Sequence, residues 1–184
     1  MNCIYTFGYD PTDVRDLTAA EIKGRKQALL AVEAMRIYVP GWENATIRDF
    51  GMTLGTRDSR KIVGEYSLTA HDVREQGRFE DSIGIFPEFL DGHGLIILPT
   101  TGRYFQVPYG IIVPQKVENL LVAGRCVAGD KVSHAATRAM NCCAVTGQGA
   151  GVAAAVSIKE GVSCRAVDIK KVQRALKKQG VRLL

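Results

Sequence analysis

The residues best equipped for chemistry lie between 119 and 155. A short apolar run, Asn119-Leu-Leu-Val-Ala-Gly124, has the form of a buried strand that stops at a tight Gly124-Arg125 turn. A polar loop carrying Asp130, His134 and Arg138 follows. Then comes NCCAVTGQGAGVAAAVSIKEG, for which a helix from Asn141 to Glu160 is expected, with Gly161 as its C-terminal cap. Gly147, Gly149 and Gly151 each cost such a helix about 1 kcal/mol relative to Ala, so something must offset roughly 3 kcal/mol. Small residues on successive turns, Gly147, Ala150, Gly151, Ala154 and Ala155, admit a backbone or a flat ligand closer than larger side chains would. Close packing of the helix on a strand is the plainer alternative.

GQGAGV is not a dinucleotide fingerprint, because the third glycine of GxGxxG would fall at Val152 and no strand immediately precedes it. What remains is a strand, a Gly-Arg turn, a loop ending at Arg138 and a helix N-terminus. The unpaired N–H groups and dipole of that terminus suit an electron-rich acceptor. The C2 carbonyl and N1 edge of a flavin, which gain negative charge on reduction, are an acceptor of that kind.

Four further residues are candidates for a cleft. Arg57 and Arg60 lie three apart, with Asp58 and Glu65 at hand for ordinary surface ion pairs. His71 and His93 are equally open to a purely structural role, but the glycines flanking His93 in FLDGHGLI place it on a turn where it can face a cleft, and its ionisation suits proton transfer. His134 is equally well explained as a solvated loop residue. The five cysteines, Cys3, Cys126, Cys142, Cys143 and Cys164, form no CxxC and no pairing with His at metal-ligand spacing, so reduced thiols are expected and metal binding is set aside.

The elements that must position these groups can be read in outline. Thr18-Ala-Ala-Glu21 has the capping-box pattern, which starts a helix with Ile22, Ala28, Leu29, Val32 and Met35 inward and a stop at Pro40-Gly41. From Thr46 to Val113 the chain turns to short β-prone runs, TIRDFGM, LIILPT, YFQVPYG and IIVPQ, which indicate a small mixed or antiparallel sheet. Thr69 marks a further helix start. DIKKVQRALKKQG forms an amphipathic terminal helix with Ile169, Val172 and Leu176 inward.

Composition limits the remaining choices. At 184 residues, with 46% hydrophobic and 23% charged, the chain has the make-up of a folded domain, with no apolar run long enough for a membrane span and no leader-like start. A cytoplasmic location is the default. From Lys159 onward there are eight Lys or Arg against two acids, a surplus of six against a net charge of +5, so the rest carries about −1. Without aromatic interleaving, that surplus reads as a solvated helix face and no nucleic-acid partner is expected.

The segment ENLLVAGRCVAGDKVSHAATRAMNCCAVTGQGAGVAAAVSIKEGV resembles the C-terminal signature of a family of FAD-dependent oxidoreductases related to the fumarate reductase and glutathione reductase flavoproteins. LGTRDSRKIVGEYSLTAHDV and YFQVPYGIIVP are similar to stretches preceding that signature, in the same order, so the resemblance covers Phe50 to Val167. It implies FAD as cofactor, with Gly124 and Arg125 along its ribityl or pyrophosphate portion and Asp130 on a ribityl hydroxyl. Asn141, Cys142 and Cys143 would direct N–H groups at the ring, on a helix whose Gly147, Gln148 and Gly151 belong to the GQxAGxAAA motif. The family commonly shows Pro-Thr-Cys where this chain has Asn141-Cys142-Cys143. Arg138 and His93 become the catalytic candidates, and Arg57, Arg60 and His71 the substrate-side ones, favouring a small organic anion.

The fold class implied is α/β in the mixed α+β sense, the C-terminal part of a flavoprotein with two dinucleotide-binding domains. Residues 1–113 would be a substrate or cap portion, and 114–184 a strand, loop and helix returning to the FAD domain. No GxGxxG with a preceding strand occurs in the chain, so a separate chain or portion carrying that half is an expected partner. The other possibility is a non-catalytic subunit or remnant that packs on a partner flavoprotein and holds no cofactor itself.

Overall fold

The computed structural model describes residues 4–92, 95–100 and 102–184. The chain divides into two compact units, Met1–Arg60 and Lys61–Leu184. The first is built on one long helix, α1 (Val14–Tyr38). Its N-cap is Asp13, whose carboxylate accepts from the Arg15 N–H, not Thr18. The expected capping box fails because both its members are engaged elsewhere. The Thr18 hydroxyl donates to the Val14 carbonyl inside the helix, and Glu21 pairs with Arg25 one turn on. The expected inward stripe is also displaced: Ile22 and Leu29 are more than half exposed, Ala28, Val32 and Met35 are half-buried, and Ala20 is the buried residue of the helix.

The second unit holds a continuous core that draws on both sides of residue 113. Thr69 caps α2 (Ala70–Arg74) in a reciprocal box with Asp72. Strand β1 (Ser82–Pro87) pairs antiparallel with β4 (Tyr104–Pro108), and β2 (Leu90–Gly92) pairs antiparallel with β3 (Leu95–Ile97). The β-prone segment 46–52 and the run 111–115 do not become strands. The former is irregular, and the latter begins inside a 3-10 turn, Tyr109–Ile112, before Pro114 bridges Gly64. A proline that cannot donate to a ladder accounts for that single bridge.

Ser82 pairs with Pro108 and Gly84 with Val107, so Ile83 is an extra residue, a bulge. The bulge allows two consecutive residues, Ile83 and Gly84, to face the same helix. That helix is α4 (Met140–Glu160), ended by Gly161 at φ 67°, in the left-handed region glycine tolerates. Short α3 (His134–Thr137) precedes it, and α5 (Ile169–Lys178) follows, capped by Asp168 with Val172 and Leu176 buried. Gln173 of α5 donates to the Glu80 and Ser82 carbonyls at the start of β1. The architecture is thus mixed helix and small antiparallel sheets.

The expected strand at Asn119–Gly124 does not form. Asn119 adopts φ 53°, Leu120 is 43% exposed, and the backbone reaches the neighbouring Ile112 carbonyl through Val122. A strand requires a ladder, and among the described residues the single Val122–Ile112 bond does not extend into one.

Candidate functional site

Gly124 opens a 3-10 turn, Gly124–Cys126, at φ 77°. A Cβ built there would lie 3.9 Å from Cys143 Sγ, ordinary contact, so it is the backbone angle that calls for glycine. The Gly124 N–H donates to Thr146 Oγ1 at 2.9 Å, and Thr146 in turn donates to the Cys143 carbonyl at 3.0 Å. Thr146 is fully buried and ties the turn to the first turns of α4. It was not picked out from sequence. The usable signal was spacing, since Cys142, Thr146, Gly149, Ala153 and Ser157 recur every three or four residues and form the buried face of the helix.

The loop after the turn is held from within. Asp130 accepts from the Ala70 N–H at 2.6 Å, the Ser133 N–H at 2.7 Å and the Val132 N–H at 2.9 Å, so its carboxylate serves α2 and the entry to α3. Burial alone would raise its pKa, but those N–H donors outweigh it and hold the carboxyl below its ordinary value of 3.8. A lowered folded value means the stabilisation is present above pH 3.8 and is lost as the pH falls through the folded value. We expect Asp130→Asn to lower stability near neutral pH by about 2 kcal/mol, and the gap from the unaltered chain to narrow under acid. Urea denaturation at several pH values checks both, and a gap constant with pH would refute the role of the charge.

His134 is buried, not solvated, with Nε2 2.9 Å from the Arg125 carbonyl. A carbonyl only accepts, so Nε2 carries the proton. Arg138 is half-buried, and its guanidinium donates to the Asp91 carbonyl of β2. Its Nη2 would lie 3.4 Å from a Cβ at Gly92, so a larger residue at 92 would press on it. Ala139 breaks the helical path with ψ 138°, and α4 starts afresh with no side chain capping its first turn. The start of α4 packs on the Gly124–Cys126 turn through the Cys143 side chain, and the Cys143 N–H is taken by the Ala139 carbonyl at 2.9 Å, not directed outward as expected.

Beyond its first turn, α4 has two faces. Gly149 is packed against Ile83, where a built Cβ would come within 2.5 Å of Cδ1 and 3.1 Å of Cβ. Gly147 and Gly151 have no neighbour within 4 Å of a built Cβ. They lie on an exposed stripe with Met140, Ala144, Ala155 and Ile158. Close strand packing thus accounts for one glycine of the three, and the other two face outward. Gln148 is exposed and donates to Gln179 Oε1 at 2.9 Å.

The second unit thus sets Gly124 against Cys143 and Arg125 against His134, whereas Asp130 is bonded to Ala70, Val132 and Ser133 and Arg138 to Asp91. Asn141 and Arg125 are exposed, Cys143 is half-buried and Cys142 is fully buried, its thiol pushed up by burial and by Cys143. His71, on α2, is exposed. Arg57 and Arg60 belong to the first unit, where the Arg57 guanidinium sits 5.7 Å from the centre of the Tyr5 ring. His93 lies outside the described residues. Among the described residues no three His, Cys, Asp or Glu side chains converge to hold a metal ion, and no helix is long and apolar enough to cross a membrane.

No curated protein and no solved structure matches the chain. Residues 1–176 match the family described as FAD dependent oxidoreductase, which takes FAD as its cofactor. That match runs through both units and includes the turn, the loop and α4, and the chain belongs to the FAD-dependent oxidoreductases.

Proposed function

We propose that this chain is the portion of an FAD-dependent oxidoreductase that closes over the flavin, in an enzyme that moves a hydride between flavin and a small organic anion. The observation carrying this reading is the uncapped start of α4 against the Gly124–Cys126 turn. Backbone N–H donors gathered beside the exposed Arg125 guanidinium fit the electron-rich edge and ribityl portion of FAD. When bound, FAD supplies the hydride acceptor and donor. Gly124, Arg125 and the N–H groups of Asn141 and Cys142 would hold it, the Cys143 N–H being engaged by Ala139, with Gly147, Gln148 and Gly151 on the adjoining helix. Asp130 serves this site from behind, because its acceptors hold the loop in place.

Arg138 is the residue we assign to the substrate. Its bond to the Asp91 carbonyl orients a cation that stays protonated through the working pH range, suited to a carboxylate or similar anion. His93, between two glycines, is the proposed proton donor or acceptor, and His71 is proposed as a secondary contact for the anion. No GxGxxG occurs in the chain, which supports a pyrophosphate and adenosine seat supplied by another chain or portion, as in relatives of fumarate and glutathione reductases.

The test separates the two halves of the cofactor. Titrating FAD and FMN into the purified chain should quench flavin fluorescence saturably and to a similar extent, while ADP fails to compete. Fluorescence retained at all flavin concentrations would refute the reading, and competition by ADP would place an adenosine seat in this chain. The outward stripe of α4 favours one other reading, a non-catalytic subunit packed on a partner flavoprotein. That reading predicts unquenched flavin.

A further inference from the structure

The first unit leaves one face of its long helix uncovered. Between residues 4 and 60 the only buried residue is Ala20, so this unit has almost no interior of its own. On α1, Ile22, Leu29, Leu30 and Ile37 are each more than half exposed, and Lys26 and Glu33 are exposed between them. At 3.6 residues per turn these six positions fall within an arc of about 100° and run about 22 Å along the helix axis. The half-buried Gly24, Ala28 and Ala31 lie on the opposite side. Four large aliphatic side chains in one stripe form a contiguous apolar patch, which marks a surface that another protein covers.

The stripe is symmetric about its own midpoint. The point halfway between Leu29 and Leu30 is also halfway between Lys26 and Glu33, and halfway between Ile22 and Ile37. A second copy laid antiparallel about a two-fold axis through that point brings Ile22 level with the partner's Ile37 at one end and Ile37 level with the partner's Ile22 at the other. The Leu29–Leu30 steps meet at the centre. Lys26 comes level with the partner's Glu33, and Glu33 with the partner's Lys26, so every charge inside the stripe meets its opposite. A parallel pairing would instead set Lys26 on Lys26 and Glu33 on Glu33.

We propose that α1 is a self-association surface whose occupant is a second copy of this chain, packed antiparallel on the stripe of Ile22, Lys26, Leu29, Leu30, Glu33 and Ile37. Within one copy, neither Lys26 nor Glu33 has a side-chain hydrogen bond or ion pair among the described residues. The basic side chains beside the stripe are engaged elsewhere in the unit. Lys23 lies 5.5 Å from the centre of the Tyr9 ring, Arg25 pairs with Glu21, and Arg36 Nε donates to the Ala45 carbonyl at 2.6 Å. Desolvating the aliphatic side chains drives the association, and the two symmetric charge pairs set its direction. No flavin takes part, so the test is independent of the function proposed above.

Sedimentation velocity of the full chain across a concentration series supplies that test. The expected result is a reversible passage from the 20.0 kDa monomer to a species of twice that mass. Lys26→Glu alone and Glu33→Lys alone each turn two attractive pairs into repulsive ones, and each should raise the dissociation constant about tenfold, less so at high salt. Mixing these two variants should restore association, because every reversed charge then faces its opposite, and placing both changes in one chain should do the same. Leu29→Asp, at an exposed position, should leave a monomer whose circular dichroism is unchanged. A chain that stays monomeric at every concentration would leave the face to a different protein and overturn the proposal. So would a dimer indifferent to Leu29→Asp, or charge-reversed variants that regain no affinity on mixing.

Discussion

Gly149→Val is expected to destabilise the chain by about 3 kcal/mol, while Gly147→Ala and Gly151→Ala, one turn or less away on the same helix, stabilise it by up to about 1 kcal/mol each. The opposite signs follow from the two faces of α4. At 149 the first added carbon already meets Ile83, at 2.5 Å from Cδ1, 3.1 Å from Cβ and 3.2 Å from Cγ1. The terminal methyl could turn aside, but Cβ is fixed to a bulged strand and Ile83 is 1% exposed, with nowhere to retreat. Alanine at 149 would regain about 1 kcal/mol of helix propensity against that overlap, whereas valine adds two more carbons and loses the propensity gain. At 147 and 151 the helix gains propensity and meets nothing.

Urea midpoints of these three variants and of Gly149→Ala test this directly. A stabilised Gly149→Ala would show that the packing of α4 on β1 is looser than described. The same variants also examine the outward face. If flavin or a partner approaches Gly147 and Gly151, alanine there should strengthen the isolated chain and weaken that binding, an uncoupling of stability from affinity that no packing defect produces.

What the sequence made legible was local chemistry. The helix start at Thr69, the Gly161 cap, the α4 span to within one residue and the inward Val172 and Leu176 of α5 all follow from side chains acting on their own backbone within a turn or so. The misreadings share a different cause. Thr18 and Glu21 had the right spacing, but Asp13 lay upstream with a free choice of the same role, and pattern alone does not rank two caps. Asn119–Gly124 has strand composition, yet a strand is a relation between segments and its partner is not encoded in the run itself. At the site, Gly124 and Arg138 stood out by type. Thr146 and His134 did not, because their work is to hold backbone groups 22 and 9 residues away.

His134 supplies the second large effect. Its ring is 2% exposed and its Nε2–H reaches the Arg125 carbonyl at 2.9 Å, joining α3 to the turn on which the proposed flavin contacts sit. Two terms are therefore lost on truncation, ring volume and a partly buried hydrogen bond, and three substitutions separate them. His134→Ala loses both and should cost about 3 to 4 kcal/mol. His134→Leu keeps most of the volume but takes the donor from a partly buried carbonyl, for about 1.5 kcal/mol. His134→Gln places an amide N–H where Nε2–H now lies and should cost about 1 kcal/mol or less. The order Ala, Leu, Gln in denaturation midpoints is the expected result, and equal midpoints for Leu and Gln would show that the hydrogen bond carries none of the stability. Flavin affinity should follow the donor more than the volume, because only the donor fixes the Arg125 peptide and with it the direction of the neighbouring N–H groups. A Leu variant that folds well yet binds flavin poorly, beside a Gln variant that binds normally, would identify His134 as a positioning residue.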